Sequence, residues 1–219
     1  MSVERSYQGH SFHVVDPDTY PYGTNIFDDP EPILKLWNFF PGEIAVDVGA
    51  SFGCFTCFAL VLGADVLAFE PSSDGHRILA ENVKLNNWQD RCTIHKVALY
   101  DGVSLPDNWI AEVFGIHYPA TDVQFKSLDE YNIPRIDKMK IDVEGSELAV
   151  LRGGLETIRR CKPMLLIEDH DGVNPHSLIG TYPESIGSSS KIQKMLIELG
   201  YSVTLESYER GRKYIVATA

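Results

Sequence analysis

Positive charge is scarce in this sequence. Its 219 residues hold 31 Asp and Glu against 19 Lys and Arg, a formal net charge of −12, with no long basic run. Nucleic-acid binding rests on neutralising phosphates, so this balance argues against a nucleic-acid partner. It also disfavours polyanionic acceptors and mildly favours a cationic ligand. The opening "MSVERSYQGH" has no apolar run, so no signal peptide is expected. One apolar stretch, Phe52 to Phe69, is interrupted by Gly63 and Asp65 and divides into a helix and a buried strand, so no membrane span is expected. Four cysteines form no dense framework and fit a reducing, cytoplasmic setting. Internal repeats, low-complexity tracts and a G-x-x-x-x-G-K-[ST] phosphate loop are all missing.

What is there alternates. Strand-length apolar runs take turns with helical patterns from residue 43 onward. Strands are expected at Glu43–Val48, Asp65–Phe69, Thr93–Leu99, Asp137–Val143 and Pro163–Glu168. Helices are expected at Gly53–Gly63, Ser72–Asn86, Ser146–Arg160 and Lys191–Leu199. Ser146 should cap its helix, with Glu147 in the first turn and Arg159 and Arg160 in the last, all suited to the helix dipole. Tyr201–Ser207 and Tyr214–Thr218 are joined by a turn too short for a helical crossover, so they form an antiparallel pair. The expected fold class is α/β: a doubly wound, Rossmann-like sheet, mostly parallel, with one antiparallel strand in a C-terminal hairpin. Residues 1–42 are expected as an N-terminal cap with a short helix at Pro32–Phe40, and 43–219 as the main domain. Segments 100–122 and 169–190 lack periodicity, which in loops of that length points to function or mobility.

The sharpest motif is "VDVGASFG", residues 46–53. A strand running into a glycine turn and then a helix serves three chemistries. A dinucleotide fingerprint wants a second glycine two residues after Gly49, where this chain has Ser51, and Phe52 is bulky. The loop carries Asp47 and no Lys or Arg, so phosphate binding is disfavoured. A G-x-S-x-G elbow would make Ser51 a nucleophile, with Asp142 and His170 completing the order Ser, Asp, His. It would sit on the first strand, however, with little chain before it for an oxyanion loop and no HGGG-like donor. The third reading is a seat for S-adenosylmethionine. Glu70 closes the second strand, where an acidic group can accept both hydroxyls of a ribose. The methyl donor bears a sulfonium and an ammonium and no phosphate, so carboxylates such as Asp47 suit it.

The chain resembles the FkbM family of S-adenosylmethionine-dependent methyltransferases. The resemblance rests on "VDVGASFG" (46–53), "VLAFEPSSDGHRILAENVKLNN" (66–87), "KVAL" (96–99), "SLDEY" (127–131), "KIDVEGSELAVLRGG" (140–154) and "MLLIEDH" (164–170), a core of roughly 43–170. Ser51 departs from it, standing where the family commonly has Asn. The resemblance implies a class I methyltransferase sheet in which Asp47, Gly49 and Ala50 border the amino-acid end of the donor. Ser51 and Gly53 keep the turn tight, Glu70 followed by Pro71 holds the ribose, and Ala98 and Leu99 lie against adenine, with Asp142 also in the donor set.

Ligands of a doubly wound sheet lie across the carboxyl ends of its strands. Strands four and five deliver Asp142, Glu144, Glu168 and His170 there. Residues two apart in a strand point to one side, so Asp142 and Glu144 share a face, as do Glu168 and His170. His170 is the first candidate for general base because its reference pKa lies nearest working pH, with Glu144 second. Glu144 could equally cap the helix at Ser146, and His170 could be a plain loop histidine. The carboxylates could also hold Mg²⁺ or Ca²⁺, but a metal-free site is favoured. Cys54-x-x-Cys57 is expected to be two small buried helix residues, not a redox pair. His10, His13, His76, His95 and His117 have no ligand spacing. Tyr20, Tyr22, Trp109, Tyr118 and Tyr182 could floor an acceptor pocket or simply pack a cap. The expected function is methyl transfer to an oxygen acceptor, a hydroxyl of a sugar or small natural product. The rivals are a Ser51 hydrolase and a non-catalytic binder of the donor.

Overall fold

The computed structural model describes residues 1–20, 27, 37–102, 110–113, 116–119, 123–171, 187–208 and 212–219. Contacts divide the chain into two compact units, Met1–Lys96 and Val97–Ala219.

The first unit opens with a hairpin where the sequence suggested only a cap: β1 (Ser2–Tyr7) and β2 (His10–Val15), antiparallel, with Tyr7 opposite His10. Its turn residues Gln8 and Gly9 both have positive φ, 47° and 84°, as a tight two-residue hairpin loop requires. Then come β3 (Ile44–Val48), α1 (Cys54–Val61), β4 (Asp65–Phe69), α2 (Ser73–Leu85) and β5 (Cys92–His95). β3, β4 and β5 pair in parallel in that order. The helices follow from sequence signals: Ser72 caps α2 by accepting from the Gly75 N–H at 3.1 Å, and Gly53 begins α1. The hairpin has a real core of its own with these helices. The Tyr7 ring stacks on Phe58 at 4.2 Å, and Phe12, Val14, Tyr20 and Phe27 are buried with Phe52 and Ile78. The helix expected at Pro32–Phe40 lies mostly outside the described residues, and Trp37–Phe40 is not helical.

The second unit contains β6 (Ala98–Leu99), β7 (Ile110–Val113), β8 (Ile116–Pro119), β9 (Phe125–Lys126), β10 (Lys138–Ile141), α3 (Glu147–Gly153), α4 (Leu155–Cys161), β11 (Met164–Glu168), α5 (Ser188–Glu198), β12 (Ser202–Ser207) and β13 (Lys213–Thr218). β10 and β11 are parallel, and β13 runs antiparallel to both β11 and β12. The fold is therefore α/β, Rossmann-like and doubly wound, mostly parallel with a C-terminal antiparallel hairpin. Met139, Ile141, Leu165, Ile167, Leu196 and Ile215 are among its fully buried side chains.

Two expected elements are split. The strand expected at Thr93–Leu99 breaks after His95, and Ala98–Leu99 pairs instead with Phe125–Lys126. The helix expected at Ser146–Arg160 divides at Gly153–Gly154 into α3 and α4, since consecutive glycines are poor helix formers. Segments 100–122 and 169–190 fall largely outside the described residues, although β7 and β8 form a hairpin within the first. Tyr22, Trp109 and Tyr182 also lie outside. Among the described residues no helix is long and apolar enough to cross a membrane.

Candidate active site

The turn after β3 is built from backbone amides. Gly49 and Ala50 both donate their N–H to the Phe69 carbonyl at the end of β4, at 3.0 and 3.1 Å. The Ser51 N–H donates to Glu70 Oε2 at 2.7 Å, and the Gly53 N–H closes on the Ala50 carbonyl at 2.9 Å. The amides that would cradle a phosphate are thus already donating inside the protein. This gives a structural reason why the loop is no phosphate seat. Gly49, Ser51 and Gly53 all have positive φ, 74°, 50° and 91°. At Gly53 the requirement is double, because an added Cβ would stand 2.4 Å from Leu79 Cδ1.

Two buried carboxylates flank the turn. Asp47 is fully buried and accepts from the Thr56 hydroxyl at 2.7 Å. Glu70, 2% exposed, accepts from the Ser51 N–H through one oxygen and from the Ser72 N–H, at 2.8 Å, through the other. It clamps the turn to the start of α2. Gly75 makes room for it, since a Cβ there would lie 2.9 Å from the Glu70 carboxyl carbon. Pro71 is half-buried between Glu70 and the Ser72 cap. No Lys or Arg occurs anywhere from residue 36 through 76. Buried acids with no basic neighbour in sequence, on a turn that keeps its own amides, suit a cationic ligand. In this respect the residues fit the sulfonium and ammonium of S-adenosylmethionine.

Cys54 and Cys57 carry no disulfide. Cys57 is buried in α1, and that burial, with the charges of Cys54, Cys92 and Asp47 added, pushes its thiol well above the ordinary range. Such a thiol is an inert packing residue, as the sequence suggested.

In the second unit, Ala98 and Leu99 form β6, with the Ala98 N–H donating to the Gln124 carbonyl at 2.9 Å and Leu99 buried. The chemistry-bearing residues gather after β10 and β11. Strand β10 ends at Ile141, and Glu144 has a φ of 55° in the turn that follows, so strand alternation does not set its direction. His170 nevertheless meets every expected partner. Its Nε2 lies 3.6 Å from Glu144 Oε2 and 3.7 Å from Glu168 Oε1. Asp142, Glu168 and His170 present ligand atoms within 4.8 Å of one another. Asp142 also pairs with the Lys140 ammonium at 3.4 Å.

The residue that sequence reasoning missed is Glu147. It was expected only as a favourable charge in a first helical turn. It is 1% exposed, and its Oε1 sits 2.8 Å from His170 Nδ1. The same oxygen accepts from the Gly145 N–H at 2.9 Å and the Val143 N–H at 3.3 Å. Ser146 stands at the N-cap of α3 but makes no side-chain cap bond. Glu147 instead folds back on the turn that precedes α3 and accepts from its amides. A legible signal existed: a carboxylate two residues after a glycine, at the first position of a helix, can reach upstream amides.

Burial alone would lower the His170 pKa. The hydrogen bond and charge of Glu147, with Asp142 and Glu144 added, outweigh it and push the value from the ordinary 6.5 up to about 10. The ring is an imidazolium at neutral pH, so a reference pKa near 7 no longer recommends His170 as a base. An imidazolium also has no lone pair for a metal and repels one. The Asp142, Glu168 and His170 arrangement could hold a divalent cation only after losing that proton.

A doubly wound α/β fold with an acidic turn after its first parallel strand fits the class of S-adenosylmethionine-dependent methyltransferases. The model of the methyltransferase FkbM domain matches residues 47–203, and the chain belongs to this family. Its cofactor is S-adenosylmethionine. Hexuronic acid methyltransferase AglP of Haloferax volcanii is 26% identical over 188 residues, covering 80% of this chain and 70% of that protein. Among solved structures, methyltransferase FkbM from Methylobacillus flagellatus superposes with a TM-score of 0.59 at 19% identity. That match covers 93% of this chain, which spans about half (48%) of the other. Precorrin-6y C5,15-methyltransferase from Geobacter metallireducens gives 0.55 at 14% identity over 94% of this chain and 96% of its own. These structural likenesses speak to the fold.

Proposed function

We propose that the protein moves a methyl group from S-adenosylmethionine to an oxygen acceptor, a hydroxyl of a sugar or another small natural product. The observation that carries this reading is the set of carboxylates around one histidine at the ends of β10 and β11. Such a set is suited to receiving a proton from a hydroxyl. The sugar acid named for AglP supports a carbohydrate acceptor.

Donor binding falls to Asp47, Gly49, Ala50, Ser51, Gly53, Glu70 and Pro71, with Ala98, Leu99 and Asp142 as further candidates. The donor supplies an activated methyl group on a positively charged sulfur. In the transfer, a bond forms between acceptor oxygen and methyl carbon as the carbon–sulfur bond breaks. The products are the methylated oxygen and S-adenosylhomocysteine. The hydroxyl proton becomes strongly acidic as the new bond forms, so a weak base suffices and alignment carries most of the rate. Glu144 is the best-placed acceptor for that proton, because its side chain is 37% exposed while His170 is 7% exposed. His170, held positive by Glu147, lies 3.6 Å from Glu144 Oε2 and 3.7 Å from Glu168 Oε1 and helps to hold both carboxylates in place.

The test is a transfer screen with radiolabelled methyl donor against sugars, polyols and sugar acids, alongside calorimetry with S-adenosylhomocysteine. Label on a hydroxyl compound is expected, and Glu144→Gln should lower the rate more than donor affinity. Product binding with no transfer to any acceptor class would favour a non-catalytic binder. Labelling by an active-site serine probe that disappears in Ser51→Ala would favour the hydrolase.

A further inference from the structure

Asn82 lies on the buried stripe of α2, four residues after Ile78 and three after Leu79, and is fully buried. A polar group in such a place is kept only with partners. Its Oδ1 accepts from the Val15 N–H at 2.7 Å. Its Nδ2 donates to the Phe52 carbonyl at 2.9 Å, with the Tyr20 hydroxyl at 3.4 Å. The amide orientation follows from its partners: a backbone N–H can only donate and a carbonyl only accept. Val15 ends β2, and Phe52 sits in the turn between Ser51 and Gly53. One side chain therefore spans the N-terminal hairpin and the glycine turn.

Asn86, one helical turn on, gives an internal comparison. Its Oδ1 accepts from the His13 N–H at 2.7 Å and its Nδ2 donates to the His13 carbonyl at 2.6 Å. It holds the hairpin to α2 in the way a neighbouring strand would. Asn82 alone of the two also reaches the turn. The Tyr20 ring, 4.7 Å from the Phe52 ring, backs the same point from the hairpin side.

We propose that Asn82 is a positioning residue for the methyl donor: its amide fastens the Gly49–Gly53 turn to the N-terminal hairpin, making that hairpin part of the donor seat. The inference rests on this turn being the seat. It separates a role in affinity from a role in mere stability, because the hydrogen bond to Phe52 acts on the turn and those to Val15 and His13 act on the hairpin.

Asn82→Asp keeps an acceptor for the Val15 N–H but sets an oxygen against the Phe52 carbonyl. Asn86→Ala removes both bonds to His13 of β2 and leaves the Asn82 bonds to Val15 and Phe52 in place. Both are titrated with S-adenosylhomocysteine well below their melting temperatures, and amide exchange is followed over residues 49–53. Asn82→Asp should weaken binding about tenfold or more and speed exchange in the turn, the scale of one buried hydrogen bond lost. Asn86→Ala should stay within about twofold of wild type even where its melting temperature falls as far. Asn82→Asp binding like wild type, or both variants weakening equally, overturns the proposal. Glu70→Ala serves as the marker of the seat. If it weakens binding while Asn82→Asp does not, the role of Asn82 fails and the seat stands; if neither weakens it, the seat itself is misplaced.

Discussion

Between β3 and α1 the working groups are backbone amides, each with a partner fixed by the turn: Phe69 for Gly49 and Ala50, Glu70 for Ser51 and Ala50 for Gly53. Around His170 the working groups are side chains that arrive from two strand ends and a helix start. The first region is held by small residues and positive φ. The second is held by charge, with one imidazolium among Glu144, Glu147, Glu168 and Asp142. The contrast teaches where each region is fragile. Geometry breaks the turn, and charge removal or pH breaks the cluster.

The largest effect is expected in the cluster. Glu147→Ala strips the buried imidazolium of its nearest partner and orphans two backbone N–H groups. It should cost about 3–5 kcal/mol, read from urea denaturation. An unchanged midpoint would mean that the pair contributes nothing. The same pair predicts a pH dependence. His170 has its pKa raised from 6.5 to about 10, so its folded-state advantage is fully present below pH 6.5 and is lost as pH rises through about 10. Unfolding midpoints should fall across that window in wild type, and this component should be absent in His170→Gln.

Next comes the turn. Gly53→Ala meets both an unfavourable φ of 91° and Leu79 at 2.4 Å, and should destabilise by about 2 kcal/mol while weakening donor binding. Its stability loss should not vary between pH 6 and 9 as that of Glu147→Ala does, and a matching pH profile would erase the distinction between the regions. The smallest effect is expected at an exposed pair outside both. Arg77 lies 3.3 Å from Asp74 on the surface of α2, and Arg77→Ala should shift stability by less than about 0.5 kcal/mol.

What the sequence revealed follows the same division. The strand–turn–helix of residues 44–61, the parallel strands and the terminal hairpin were legible because period, glycine and small residues constrain local backbone. Asp47 and Glu70 could be placed because they stand at strand ends. The clamp that Glu70 makes on Ser51 and Ser72 was not legible, since it depends on how two loops approach. Glu147 was hidden for a similar reason: its partner His170 is 23 residues away. The break at Gly153–Gly154 was written in the sequence but outweighed by the long apolar pattern around it. The N-terminal hairpin was missed because one face of β1 stays largely exposed and leaves no apolar run to read.

The central claim is that the donor is held chiefly at the turn and Glu70, and not by His170. Calorimetry with S-adenosylhomocysteine on wild type, Glu70→Ala and His170→Gln tests it most directly. Wild type is expected to bind, Glu70→Ala to lose about tenfold or more (roughly 1.4 kcal/mol), and His170→Gln to change by less than about threefold. Undiminished binding by Glu70→Ala, or no binding by the wild-type protein, would contradict it.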